Sequence, residues 1–493
     1  MTSKSRQVWG LILMAGLMVW PAMAQQKDPR VNQPVVPVSP GESSSQSQSE
    51  GEPVPSTTVQ PDNRPLSGAE SFSLGIFSGR SLLSGSLRFM QVADSNGQSS
   101  PGVTQWRTVS TVGGDLLLQR VGRNAQLNLD YVGGGTVYNN QSNLTGMVHG
   151  FNISSHFSFR RWALMLGDSV TYMPESSFGA GGVGGLGFGG LGAVGASGSF
   201  IGGGMLPGLG GSFGGSLVPG TVPSQTILTG RADRVANTAV GQLQYSFSAR
   251  DSWTVSGSYG ILRFLDDGYI DSDNYQIRTG YNRVLSAKDS FALYYSLGMI
   301  RFSGASQSTD NHAIHLAYGR KITGRLAWQV AGGPQISLFE NPASGSDERV
   351  SWSMHTSLLY NFPVSMVGLR YSHGITGGSG VLLGAETDRV DFNWSRPFSR
   401  NWNAGFRLGY AHNRSLRQLT GGTSEQRFHG IDFGVNLGRA IGRHGRLQLL
   451  YGLQYQNSNT SVCTPGTTTC GTRILRHNFG LGFTWGFGPY NLD

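Results

Sequence analysis

The sequence lacks a long apolar run, and this excludes a helical membrane protein. Past residue 24 no stretch offers the ~20 consecutive strongly apolar residues that a spanning helix needs; the uncharged run from Phe178 is dominated by glycine, which weakens helices. Charge is also scarce, at 13% of residues, and the formal net charge of +9 comes from arginines and lysines that are scattered. Nucleic-acid binding calls for a basic stripe or patch, and none is present. No H-E-x-x-H occurs, and no G-x-S-x-G lies between a strand and a helix, so neither a zinc protease nor a serine hydrolase elbow is signalled. Cysteine is nearly absent. The two that occur, Cys463 and Cys470, fall in one predicted loop rich in Thr, Gly and Pro. A metal centre needs further ligands close by, and there are none. In an exported protein the two are expected to pair as a disulfide pinning that loop.

What the sequence has in excess is glycine, 74 residues of 493. Glycine weakens helices but suits turns and curved strands. Residues 1–24 read as a secretory signal peptide: Lys4 and Arg6, an apolar core from Val8 to Trp20, then Ala22-Met23-Ala24 as an A-x-A cleavage site. Residues 25–70 are rich in Pro, Ser, Gln and Glu. Such a segment buries too little apolar surface to offset its ordering entropy, so a disordered periplasmic tether is expected.

From about residue 80 the pattern changes to strict alternation. In Gln242–Ser248, Leu243, Tyr245 and Phe247 alternate with Gln242, Gln244, Ser246 and Ser248. Side chains alternate across a strand, so one face is apolar and the other wet. Short turns are read at Gly122-Arg123-Asn124, Arg160-Arg161, Arg250-Asp251, Lys288-Asp289, Gly324-Arg325, Phe362-Pro363, Arg400-Asn401 and Arg443-His444. They recur every ~36–43 residues, apart from one interval of ~89. Each short turn alternates with a longer loop. Eight hairpins, a leading strand near Leu82–Ala93 and a closing strand near Leu475–Phe487 predict about 18 strands (16–20). The expected fold is all-β: a single antiparallel up-and-down transmembrane β-barrel over residues 80–487, with a C-terminal tail at 488–493.

Large aromatics follow the short turns at nearly fixed distance: Trp162, Trp253, Phe291, Trp328 and Trp402. They form the expected interfacial girdle. Which parity is wet follows from the barrel's width, because ~18 strands enclose more space than side chains alone can fill. The polar parity, expected to line a pore, carries Arg278, Arg370, Arg389, Asp391, Arg407, Asp130 and Asp432, and also His315 and His355. Arg389 and Asp391 stand two apart on one face and are expected to pair. Rings of arginine favour anions. Asp168 breaks the pattern by sitting on the apolar parity of its strand. A bulge, a subunit contact or a different register would each account for it.

The ~89-residue interval holds a Gly-rich stretch, Phe178 to Gly220, without a single charge. Its G-x-G-x-x-G-like strings do not open a helix after a strand, so they do not signal a dinucleotide site. Residues 174–232 are expected to form a long external or pore-constricting loop, the third on that side of the barrel.

In the closing strand Phe479, Leu481, Phe483, Trp485 and Phe487 share one parity. Gly482-x-x-Trp485-x-Phe487 resembles the C-terminal assembly signal of Gram-negative outer-membrane β-barrel proteins. It departs from that signal at Gly480, where a polar residue is usual, and in the residues that follow Phe487. The resemblance is architectural and porin-like, and identifies no one porin family. It implies a place in the cell outer membrane, handling by the barrel assembly machinery, and passive diffusion of small solutes; the inward arginines add an expected preference for anions. On the motifs and charge distribution above, no cofactor, metal, enzymatic activity or nucleic-acid partner is expected. A homo-oligomer is compatible with the resemblance. The alternative is a surface structural, adhesive or polymer-export barrel that works through the Gly-rich loop.

Overall fold

Period-two alternation leaves each strand one apolar and one polar face, and a closed sheet is the way to bury every backbone donor and acceptor at once. The computed structural model describes residues 81–95, 106–138, 145–173, 227, 233–266, 268–303, 308–341, 345–362, 364–416, 425–463 and 470–492. The expected leader (1–24) and tether (25–70), and nearly all of the 174–232 loop, lie outside these.

The described chain forms β1 (Leu82–Asp94), β2 (Arg107–Val121), β3 (Ala125–Tyr138), β4 (Thr145–Ser158), β5 (Trp162–Met173), β6 (Arg234–Ser246), β7 (Asp251–Phe264), β8 (Ser272–Val284) and β9 (Asp289–Phe302). It continues with β10 (Ser308–Lys321), β11 (Leu326–Asn341), β12 (Gly345–Asn361), β13 (Met366–Thr376), β14 (Ala385–Pro397), β15 (Trp402–Ser415), β16 (Arg427–Ile441), β17 (Gly445–Cys463) and β18 (Cys470–Asn491). Each strand pairs with its sequence neighbours, and β1 closes onto β18, giving one antiparallel sheet of 18 strands. All eight expected short turns fall at one end, together with both ends of the barrel.

The closing strand runs beyond its expected end. Leu82 stands opposite Asn491, so residues 488–491 belong to β18 rather than to a separate tail. Phe487 is opposite Gly85, where a Cβ would come within 2.8 Å of the Phe487 ring. Glycine there leaves the room that the Phe487 ring occupies at the seam.

Four of the short turns share a device. The Ser248 hydroxyl accepts from the backbone N–H of Arg250 and Asp251 at 3.1 and 3.0 Å. Ser286, Thr323 and Ser399 do the same to the residues two and three ahead. The side chain supplies the acceptor that a tight turn otherwise lacks.

The apolar parity faces out. Ile277, Leu369, Leu408 and Tyr410 are all exposed, at 39–49%. At the short-turn end the outer face ends in Trp162, Trp253, Trp402 and Trp485. At the other end it is bounded by a recurring pair. A tyrosine hydroxyl meets Nδ1 of a histidine on the next strand in Tyr131–His149 (3.0 Å), Tyr295–His312 (2.7 Å), Tyr410–His429 (3.0 Å) and Tyr451–His477 (3.1 Å). On β15 ten residues separate Trp402 from His412, which stacks on His429 at 4.3 Å. At ~3.3 Å per residue and a ~40° tilt that is roughly 25 Å, the height of the apolar band of a bilayer-spanning barrel. The architecture is that of an outer-membrane β-barrel.

Candidate functional site

The inner wall is where chemistry concentrates. Across β13 to β16 the register sets Arg370 opposite Asp391, Asp391 opposite Gly409, and Gly409 opposite Asp432. The sequence-predicted pair forms: Arg389 Nε and Nη2 donate to the two Asp391 oxygens at 2.8 and 2.9 Å. Arg407 continues the chain, 3.7 Å from Asp391 and 3.1 Å from Asp432. These four groups are buried, with side chains no more than 10% exposed. Paired charges tolerate such burial because each retains a counter-charge.

Glycine makes the space for this ladder. A Cβ on Gly409 would overlap Asp432 Oδ1 and stand 2.8 Å from its Cγ. Gly409→Ala is therefore expected to push Asp432 off Arg407 and to cost about 1–3 kcal/mol, the usual penalty of overpacking. Urea titration of the barrel in lipid vesicles measures it.

The remaining expected residues face inward but lie apart from the ladder. Arg278, on β8, stands 5.4 Å over the Tyr294 ring. Tyr294 stacks on His315 at 4.8 Å, and His315 Nε2 is 2.6 Å from Ser353 Oγ. His355 follows at 6.3 Å from His315. Asp130, on β3, accepts from Asn152 at 3.5 Å. The inner face therefore carries the charged ladder on β13–β16, an aromatic–histidine group with Arg278 on β8–β12, and Asp130 on β3.

Sequence reading missed a strap. Between β13 and β14 the chain turns through a 3-10 segment, Gly378–Gly380, with Gly378, Gly380 and Gly384 at φ of 71°, 77° and 84°. Ordinary residues resist that conformation. The strap reaches β7–β8, six strands away around the circumference. Gly380 O accepts from Ile270 N at 3.0 Å, and a Cβ on Gly380 would overlap the Phe264 ring. Phe264 is itself held by Tyr269, stacked at 4.7 Å, and by Arg234 at 5.0 Å. The available signal was Gly377-Gly378-Ser379-Gly380 between two alternating runs.

Ile227 adds a second crossing. It belongs to the connection between β5 and β6, yet it is fully buried against Leu382 of the strap, Ala385 of β14 and Phe428 of β16. Those residues lie about half the circumference away.

The expected disulfide partners Cys463 and Cys470 are cross-strand neighbours in the β17–β18 register, and their side chains lie outside the described residues. Trp485, of the assembly signal, faces outward beside His444, and Gly482 faces inward opposite Met90.

No family model matches the chain, and no curated protein matches it. Similar solved structures include Pseudomonas aeruginosa OpdQ, 11% identical with a TM-score of 0.41 over 83% of this chain and 98% of that one. Pseudomonas aeruginosa OccK2 (OpdF) in complex with glucuronate is 10% identical, with a TM-score of 0.43 over 83% of this chain and 98% of that one. Acinetobacter baumannii OccAB3 is 10% identical, with a TM-score of 0.40 over 83% and 99%. At that distance they add nothing to what the barrel's own geometry establishes.

Proposed function

We propose that this barrel is a porin-like channel of a Gram-negative outer membrane, through which small hydrophilic solutes diffuse with a preference for anions. The observation that carries the reading is the opposition of its two faces. The outer belt is apolar over roughly a bilayer's height, while the inner wall holds the charged ladder and Arg278. The ladder carries three arginines against two aspartates, and Arg278 adds a further positive charge; that surplus favours anions over cations of the same size. The channel needs no cofactor and no catalytic group.

In this reading the short turns and both ends of the barrel face the periplasm. Residues 1–24 direct export and 25–70 tether the chain beneath the membrane. Gly482, Trp485 and Phe487 engage the barrel assembly machinery, and a Cys463–Cys470 disulfide pins the last external loop. The 174–232 loop and the strap narrow the lumen between them. The Ile227 contact supports this over a surface adhesive or polymer-export role, which would leave that loop outside.

Single-channel recording of the refolded protein tests the reading. Wild type is expected to give stable conductance steps and, in a salt gradient, a reversal potential on the anion side. At ~8 Å in water a unit charge acts with ~0.5 kcal/mol on each ion, with opposite sign on chloride and potassium, so Arg370→Gln is expected to lower the chloride-to-potassium permeability ratio roughly fivefold. A barrel that is folded by gel mobility yet never conducts would sink the channel.

A further inference from the structure

The arginines and lysines that lie scattered along the sequence are gathered by the fold. Among the described residues, the eight short turns and the three strand residues on either side of each carry fifteen of them, against two carboxylates, Asp251 and Asp289. That surplus exceeds the +9 of the whole chain. On β7–β10 the two carboxylates answer outward-facing arginines. Arg283 lies 3.9 Å from Asp251, and Arg320 lies 3.6 Å from Asp289. The hydroxyls of Tyr281 and Tyr318 donate to the same two carboxylates.

At the base of β14–β16 the arginines have no such answer. Arg396 and Arg439 face outward there, and neither forms an ion pair among the described residues. Arg439 stands opposite Trp402 in the register and lies 5.2 Å over its ring. Arg396 lies 5.7 Å over the Phe398 ring. With β15 between them, the two strands are roughly 10 Å apart. The outward residue of β15 between them is Ala404, opposite Arg396 on one side and Leu437 on the other. It adds only a methyl group. Arg400 and Arg443 stand on the turns immediately below. The Arg400 turn is tied to β16, where Ala440 N–H donates to Asn401 O at 2.8 Å. Above, the outer face is apolar, with Leu408 and Val435 exposed.

We infer that this face binds the phosphate headgroup of an anionic phospholipid in the leaflet beside the short turns. Guanidinium forks match phosphate oxygens, and arginines resting on aromatic faces are already placed to receive them. A zwitterionic headgroup would bring its own cation into a cluster that holds no carboxylate. The acyl chains would run along Leu408 and Val435. Depth selects a lipid over a soluble partner. Trp402 belongs to the tryptophan ring, and such a ring sits at headgroup level, so Arg396 and Arg439 at the same level face headgroups. An acidic protein or a cell-wall polymer would meet the turn tips instead. The inference rests on the barrel's seat in a bilayer and not on whether the lumen conducts.

The test uses the full chain purified in detergent. Native mass spectrometry follows the lipid retained after addition of phosphatidylglycerol or, in parallel, of phosphatidylcholine with the same chains. Gel mobility with and without heating shows that each variant is folded. Wild type is expected to retain phosphatidylglycerol preferentially. At roughly fivefold per basic residue, Arg396→Gln with Arg439→Gln is expected to weaken that binding about 25-fold. Ala404→Trp, which fills the gap between the arginines at unchanged charge, is expected to weaken it as well. Arg283→Gln with Arg320→Gln removes the same charge from arginines that already have carboxylates, and is expected to change it little. Equal losses in the two double variants would reduce the effect to diffuse rim charge and overturn the site. Equal retention of the two lipids by wild type would also overturn it. So would phosphatidylglycerol binding that survives loss of Arg396 and Arg439, which would leave those arginines to a soluble polyanion. Displacement of the lipid by millimolar inorganic phosphate would make the cluster a site for the free anion instead.

Discussion

Asp94→Leu is expected to cost the barrel about 3–5 kcal/mol, the largest single-residue effect on stability predicted here. Asp94 is fully buried on β1, where the first strand meets both β2 and the last strand, β18. Arg107 of β2 donates to it through Nε at 3.1 Å and Nη2 at 3.0 Å. Arg476 of β18 donates through Nε at 3.0 Å and Nη2 at 2.8 Å. Arg107 also lies 4.5 Å over the Tyr138 ring. Removing the carboxylate leaves two buried guanidinium groups facing one another with this counter-charge gone, at the seam where the barrel closes. The penalty is the desolvation of two guanidinium groups that have lost this counter-charge, so it should nearly vanish when all three groups are replaced by leucine. Urea unfolding in lipid vesicles, followed by tryptophan fluorescence, compares wild type, Asp94→Leu and the triple variant. A single variant as stable as wild type would show that the seam does not rely on this ion cluster.

Gly380→Ala is expected to have the largest effect on conduction with little effect on the barrel itself. Two penalties fall on one methyl group. The φ of 77° is strained for any residue with a Cβ, by about 1–2 kcal/mol, and that Cβ would overlap the Phe264 ring. Both are relieved if the strap leaves β7–β8 and gives up the Ile270 N–Gly380 O bond. None of the paired strands has to move. Single-channel conductance should therefore rise, while the unfolding midpoint stays close to wild type. Deleting residues 179–220 from the wild-type chain tests the β5–β6 connection separately from the strap. If the strap sets the narrowest point, the deletion alone changes conductance less than Gly380→Ala does. Unchanged conductance in Gly380→Ala would place the constriction elsewhere.

The sequence by itself determined the barrel. Alternation with period two, eight short turns and a closing aromatic strand give 18 strands, because register and face are fixed by local pattern once one side must be apolar. The inward direction of Arg278, Arg370, Arg389, Asp391, Arg407, Asp130 and Asp432 follows from that same parity, and the Arg389–Asp391 pair from a spacing of two on one strand. Only the tertiary structure decided what meets across the barrel. Asp94 and Arg476 are 382 residues apart and touch because the sheet closes. Gly380 reaches Phe264, and Ile227 reaches Phe428, because a cylinder brings its far walls within reach of a connecting segment. Asp168 is the converse case: parity marked it as an exception, and the unbroken ladders on both sides of β5 showed that it faces outward. Local pattern sets which way a side chain points; closure of the sheet sets what it points at.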